Sequence, residues 1–126
     1  MDKNFIYLDN NKNVLKQLHT ESIDLIYIDP PFNTKRTQKM GGMKYDDSYI
    51  NWSDMMEELL WESHRLLKHT GSIYVHIDYR TSVVTRILLD KIFKPENFKN
   101  EIIWAYDYGG RSKKYWPRKH DTIYFY

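Results

Sequence analysis

Apolar positions in this chain recur in two alternating rhythms. Phe5 to Leu8 and Ile23 to Ile28 are short apolar runs of strand type, the second rich in β-branched residues, as in a strand covered on both faces. Between them, Asp9, Asn10 and Asn11 are turn and N-cap residues, and Val14, Leu15 and Leu18 mark one face of a short helix. Asn33 to Ile50 is polar, contains Gly41-Gly42 and reads as a long loop. Ser53 is placed to cap a helix through Lys68, with Met55, Met56, Leu59, Leu60, Leu66 and Leu67 as its inner stripe and Gly71 past its end. Ser72 to Ile77 is a strand. Thr81 or Ser82 opens a helix with Val83, Val84, Ile87, Leu88 and Ile92 inward. Ile102 to Tyr106 and Thr122 to Tyr126 are strands flanking a basic loop, Gly109 to His120.

This alternation predicts an α/β fold: a mostly parallel sheet with helices on both faces. The last two strands have no helix between them and must pair antiparallel. Ligands of such sheets bind beyond the carboxyl ends of the strands, where Asp9, Asp29 and Asp78 are all expected.

Composition narrows the classes. The chain has 126 residues, 41% of them hydrophobic, which suits one domain with a core. No apolar run approaches the roughly 18 residues of a membrane span. Met1 to Asn4 lacks the basic-then-apolar layout of a signal peptide, so the chain reads as cytoplasmic. The absence of Cys removes disulfides, thiolate metal sites and a thiol nucleophile. The five His are scattered without ligand spacing, and no metal is expected. His76 reads as a packed strand residue, and Trp52, Trp61 and Trp104 read as core. A net charge of +2 names no partner.

The most informative stretch is I-Y-I-D-P-P-F-N-T, Ile26 to Thr34. A residue before proline is driven out of the helical region, and proline fixes its own φ. Neither Pro30 nor Pro31 has an N–H to donate. The result is a stiff acceptor edge, the Asp29 carboxylate with the Pro30 carbonyl, beside the flat ring of Phe32. That combination suits a planar group bearing an NH2, such as a nucleobase. Stacking contributes about 1–3 kcal/mol per base and a charged hydrogen bond roughly 1.5–3 kcal/mol. Together they offset the few kcal/mol needed to extrude a base from a duplex. Holding both amine hydrogens localises the nitrogen lone pair for in-line attack on an electrophilic methyl. The bland alternative for the same residues is a strand-end turn.

I-D-P-P-F-N-T resembles the catalytic motif of amino-methylating DNA methyltransferases, D/N/S-P-P-Y/F/W. The similarity extends through Y-L-D-N-N-K-N-V-L-K-Q-L, R-L-L-K-H-T-G-S-I-Y-V-H-I-D and the segment from Asn100 to Tyr126, nearly the whole chain. The best match is the subgroup in which this motif precedes the cofactor-binding half, the beta order, many members of which belong to restriction–modification systems. The resemblance implies a Rossmann-like S-adenosylmethionine-dependent fold and makes Asp29, Pro30, Pro31 and Phe32 the catalytic tetrad. It assigns Asp9 and Asp29 to the cofactor, with Asp9 near its adenine ring. An Asp in the first tetrad position is commoner in adenine-N6 enzymes and a Ser in cytosine-N4 enzymes. Adenine is therefore favoured, with cytosine N4, a planar amide, or a catalytically silent DNA-binding remnant as alternatives. The family's F-x-G-x-G turn is not found among Gly41, Gly42, Gly71, Gly109 and Gly110. Residues 1–126 thus read as a partial catalytic domain, incomplete without its target-recognition region and Gly-rich motif. Such a fragment is expected to have little activity alone and to have the other half or a restriction subunit as partner.

The basic loop holds Arg111, Lys113, Lys114, Arg118 and Lys119 without an acid, and interleaves Tyr115 and Trp116. It is the candidate contact to double-stranded DNA, where phosphates contribute salt-dependent affinity. Otherwise it is a solvated hairpin tip. Lys35 to Tyr49 is a candidate lid over an extruded base. Asp9 can equally be a helix cap.

Overall fold

The computed structural model describes residues 6–35, 37–40, 43–46 and 51–126. They form α1 (Asn11–Leu15), β1 (Ile23–Ile28), β2 (Thr37–Met40), β3 (Met43–Asp46), α2 (Trp52–Leu66), β4 (Leu67–Ile77), α3 (Ser82–Phe93), a 3-10 turn at Pro95–Asn97, β5 (Asn100–Ala105) and β6 (His120–Phe125). The main sheet has the order β1-β4-β6-β5, and β2 and β3 form a separate hairpin. That hairpin lies inside the stretch read as a loop. Beyond its backbone and Lys35, the candidate lid falls outside the described residues, as does Phe5. Residues 6–8 are not a strand: Ile6 and Leu8 are exposed, and a strand without a ladder partner has nothing to hold it extended.

The sheet is mixed. β1 and β4 are parallel, while β6 runs antiparallel to both β4 and β5. The terminal pair is antiparallel as expected, but β6 returns on the inner side of β5. That position buries Thr122, Ile123 and Tyr124 and leaves β5 exposed along its length as the edge.

Both long helices lie on one face of the sheet, not on opposite faces. Along β4, Ile73, Val75 and Ile77 are buried and form the core with Met56, Leu60, Leu88, Leu89 and Ile92. The alternating residues Tyr74 and His76 face the other way, alongside exposed Leu25, Tyr27 and Trp104. The reason is chirality. The crossovers β1-α2-β4 and β4-α3-β5 advance across the sheet in the same direction, and right-handed crossovers that do so put their helices on the same face.

Two helix readings shift. α2 starts from Asn51 rather than Ser53 and stops at Leu66. Leu67 already pairs with Ile23, and the register then slips so that Leu25 faces Ser72. Gly71 sits in that irregularity, where a Cβ would meet the Leu67 side chain at 2.7 Å and the Lys68 carbonyl at 3.0 Å. In α3 the inward set is Thr85, Leu88, Leu89, Ile92 and Phe93. Val83 and Ile87 are 69% and 62% exposed. The helix is apolar on more than one side, and Thr85, a polar residue, takes the inner face.

Arg65 fastens α1 to α2. Its guanidinium donates to the carbonyls of Leu15 (2.9 Å) and Leu18 (3.1 Å) and to Glu62 (2.9 Å). Among the described residues no helix is long and apolar enough to cross a membrane.

Candidate active site on the sheet rim

β1 ends at Ile28, and Asp29 leaves the sheet at its carboxyl end. Pro30 is buried, while the Asp29 side chain is 61% exposed. The rigid dipeptide is held from behind: buried Trp52, the first residue of α2, donates its indole N–H to the Pro31 carbonyl at 2.7 Å. Asn33 and Lys35 then take left-handed backbone conformations, φ 53° and 57°, which turn the chain sharply away. Asn tolerates this locally; Lys does so at a cost. Phe32, half-buried, meets the His76 ring edge-on, with centroids 5.6 Å apart and planes at 62°.

His76 therefore touches the turn and is more than packing. On the sheet face away from the helices, its Nε2 lies 3.2 Å from Asp121 Oδ2 on β6. Its Nδ1 lies 3.2 Å from the Tyr27 hydroxyl on β1 and 3.8 Å from Asp29 Oδ1. Tyr106, just past β5, donates its hydroxyl to Asp121 Oδ1 at 3.2 Å. The Trp104 ring stacks on the imidazole at 6.2 Å. Trp104 and Trp61 are exposed, so of the three tryptophans read as core only Trp52 is buried. Burial and the nearby Asp29 charge push the Tyr27 phenol up. Burial and Asp121 do the same for Tyr106. Both phenols stay protonated, so each keeps an O–H to donate. A sequence signal for His76 existed: strand alternation sets it opposite Val75 and Ile77, on the side shared with Tyr27.

Beyond Asp121 the rim holds a polar hollow of about 300 Å³, bordered by Asp78, Arg80, Tyr106, Arg111, Arg118 and Asp121. Asp78 is buried, and burial pushes its carboxyl above the usual range against the pull of Arg80. Arg80 donates to it through both its backbone N–H (2.8 Å) and its guanidinium. The Arg118 guanidinium lies over the Tyr79 ring at 4.0 Å and the Tyr115 ring at 5.0 Å. Arg111, Lys113 and Lys114 are exposed. Lys119 differs: its ammonium donates to the carbonyls of Asp107 (2.9 Å), Tyr108 (2.5 Å) and Gly109 (3.3 Å), so it shapes the loop from within.

Asp9 is exposed ahead of α1. It accepts from the Asn10 N–H (2.6 Å) and the Asn13 amide (3.3 Å), while the helix cap proper is Asn10, accepting from Lys12 N–H. An apolar groove of about 410 Å³ runs along the free edge of β1, bordered by Asn11, Leu18, Leu25, Ile26, Leu59 and Asp29. Among the described residues no His, Asp and Glu cluster could hold a metal.

Known proteins share the sequence family and the fold of this chain. The profile of the N6/N4 DNA methylase family matches residues 23–126. The chain is 32% identical over 111 residues to the DNA adenine methyltransferase YhdJ of Escherichia coli K12, covering 86% of this chain and 36% of that protein. It is 34% identical over 115 residues to the probable type III restriction-modification enzyme HindVI Mod subunit of Haemophilus influenzae, covering 87% of this chain and 15% of that one. The solved PvuII DNA methyltransferase, described as cytosine-N4-specific, superposes with a TM-score of 0.67 at 17% identity, over 94% of this chain and 47% of that chain. The Asp-Pro-Pro-Phe turn thus stands on a DNA methyltransferase sheet, and the chain belongs to the N6/N4 DNA methylase family.

Proposed function

We propose that this chain carries the amine-binding part of a DNA adenine-N6 methyltransferase that acts on an extruded base in double-stranded DNA. The observation behind this reading is an exposed carboxylate, Asp29, at the end of β1 on a proline turn pinned by Trp52. Asp29 accepts a hydrogen from the exocyclic amine, and Phe32 lies against the base. When the amine nitrogen forms its bond to the methyl carbon it holds one proton too many, and the Asp29 carboxylate takes it. Arg111, Lys113, Lys114 and Arg118 contact phosphates, with Lys119 shaping their loop.

S-adenosylmethionine, when bound, supplies the electrophilic methyl. The residues present suit it: the exposed Asp29 carboxylate borders the apolar groove, an acid and an apolar surface for a sulfonium group. Asp9, two residues before Asn11 on that groove, is the second acid assigned to it. The setting is the cytoplasm, and the relation to a type III Mod subunit makes a restriction subunit a candidate partner.

Cytosine N4 is the second reading, favoured by the fold shared with PvuII methyltransferase. Nucleoside mass spectrometry of DNA from cells expressing this chain together with the remainder of the methyltransferase decides between them. N6-methyladenine that disappears with Asp29→Ala supports the first reading, and N4-methylcytosine selects the second. No methylated amino base from either form rejects both.

A further inference from the structure

We propose that Trp116 is a wedge that enters the base stack of duplex DNA at the place a departing base leaves empty. The loop between β5 and β6 is built to hold one indole outward. Ser112 Oγ accepts from the backbone N–H groups of Lys114 (3.1 Å) and Tyr115 (3.4 Å) and tightens the turn. Lys119 gathers the carbonyls of Asp107, Tyr108 and Gly109 from within. The Arg118 guanidinium lies against Tyr79 and Tyr115 and so ties the loop to the residues that follow β4. Tyr108 is stacked on Tyr106, with centroids 4.7 Å apart. Trp116 stands out from this framework: it is 93% exposed. Pro117 after it disfavours a helical backbone there, which stiffens the stem of the indole.

Place and charge say what the indole meets. Tyr115, Pro117 and Arg118 border the same polar hollow as Asp121. Asp121 Oδ2 lies 3.2 Å from His76 Nε2, and His76 Nδ1 lies 3.8 Å from Asp29 Oδ1. The loop therefore stands on the same rim as the Asp-Pro-Pro-Phe turn, a few side chains away. Residues 109–120 carry five Lys and Arg and no acid, so the surface that presents the indole is drawn to phosphates. A flat apolar ring among cations suits a polyanion with a flat apolar interior, which is duplex DNA. Apolar side chains can part base steps and stand between them, and an aromatic ring stacks on any base.

In the amine-binding reading, on which this inference rests for its consequence, a base that moves to Asp29 and Phe32 leaves its two neighbours unstacked. Trp116 covers them and so offsets part of the cost of extrusion. Arg111, Lys113 and Lys114 hold the backbone while the indole fills the gap.

The test uses the 126-residue chain and two labelled duplexes of one sequence, the first intact and the second with a single tetrahydrofuran abasic site. Fluorescence anisotropy at one salt concentration gives the affinity ratio. The expected result is tighter binding to the abasic duplex by about tenfold, the scale of one aromatic–base stack. Trp116→Ala is expected to remove that preference and to leave the affinity for the intact duplex unchanged. The side chain is exposed, so the variant keeps the fold. Trp116→Phe keeps part of the preference, because a smaller ring still stacks. Lys113→Ala weakens both duplexes alike, as loss of a phosphate contact does. Equal affinity of the wild type for the two duplexes overturns the proposal. So does a preference that survives Trp116→Ala, or one that Lys113→Ala abolishes. The ratio is read without a methyl donor, and the methylated nucleosides without a damaged duplex, so this inference and the amine-binding reading fail separately.

Discussion

Trp52→Phe isolates what holds the Asp-Pro-Pro-Phe turn in place. The prolines stiffen the backbone, but stiffness alone does not aim it. The aiming contact is the indole N–H of Trp52 on the Pro31 carbonyl at 2.7 Å, with Trp52 only 5% exposed. Phenylalanine keeps an aromatic ring against Met56 and the rest of the core but removes the donor. A carbonyl left without its donor in this part-buried setting costs about 1–3 kcal/mol. The smaller ring leaves a void of some tens of Å³, worth about 1 kcal/mol at roughly 24 cal/mol per Å³. The expected loss is about 2–4 kcal/mol, a large share of a domain stability of about 5–15 kcal/mol. Urea denaturation measures it: with a slope of about 2 kcal/mol per molar, the midpoint falls by about 1–2 M at unchanged slope. Hydrogen exchange supplies the local readout, since the amides of Phe32 and Asn33 should exchange faster in the variant by more than global destabilisation accounts for. A loss below about 1 kcal/mol, with no local change at Phe32, would refute the reasoning and leave the turn held by its prolines alone.

Five further outcomes are expected. On the proposed function, Asp29→Ala in the whole enzyme lowers methyl transfer by about 10²–10³-fold, the scale of losing one oriented electrostatic contact, while the urea midpoint of this chain holds because the side chain is exposed. Arg118→Ala lowers the slope of log affinity against log salt for duplex DNA by about 0.9 in fluorescence anisotropy, as for one lost phosphate contact. Lys119→Met leaves that slope unchanged, since its ammonium serves the loop carbonyls. Asp78 has a folded-state pKa raised by burial, so its contribution to stability is full below its ordinary value and is lost as pH rises through the folded one. Urea midpoints at pH 4 and pH 7 should therefore show wild type losing ground to Asp78→Asn as pH rises. Gly71→Ala forces a Cβ against Leu67 and the Lys68 carbonyl and should cost about 1–3 kcal/mol in the same assay.

How much of this was legible in the residues divides along a physical line. Covalent and local constraints are written in the sequence. Asp29-Pro30-Pro31 is stiff whatever surrounds it, β1 had to end there, and β5 and β6 had to pair antiparallel because no helix separates them. Other features depend on which surfaces bury one another. β6 had two sides of β5 open to it and took the inner one, which covers Ile123 and Tyr124. α3 offered apolar residues on several sides, and the sheet accepted Thr85 and Leu89 while leaving Val83 out. The Tyr27–His76–Asp121–Tyr106 chain joins groups that are 15 to 49 residues apart in pairs. No local spacing encodes such contacts. They exist because strand register places the four strand ends side by side, and that register is decided by the burial of the whole sheet.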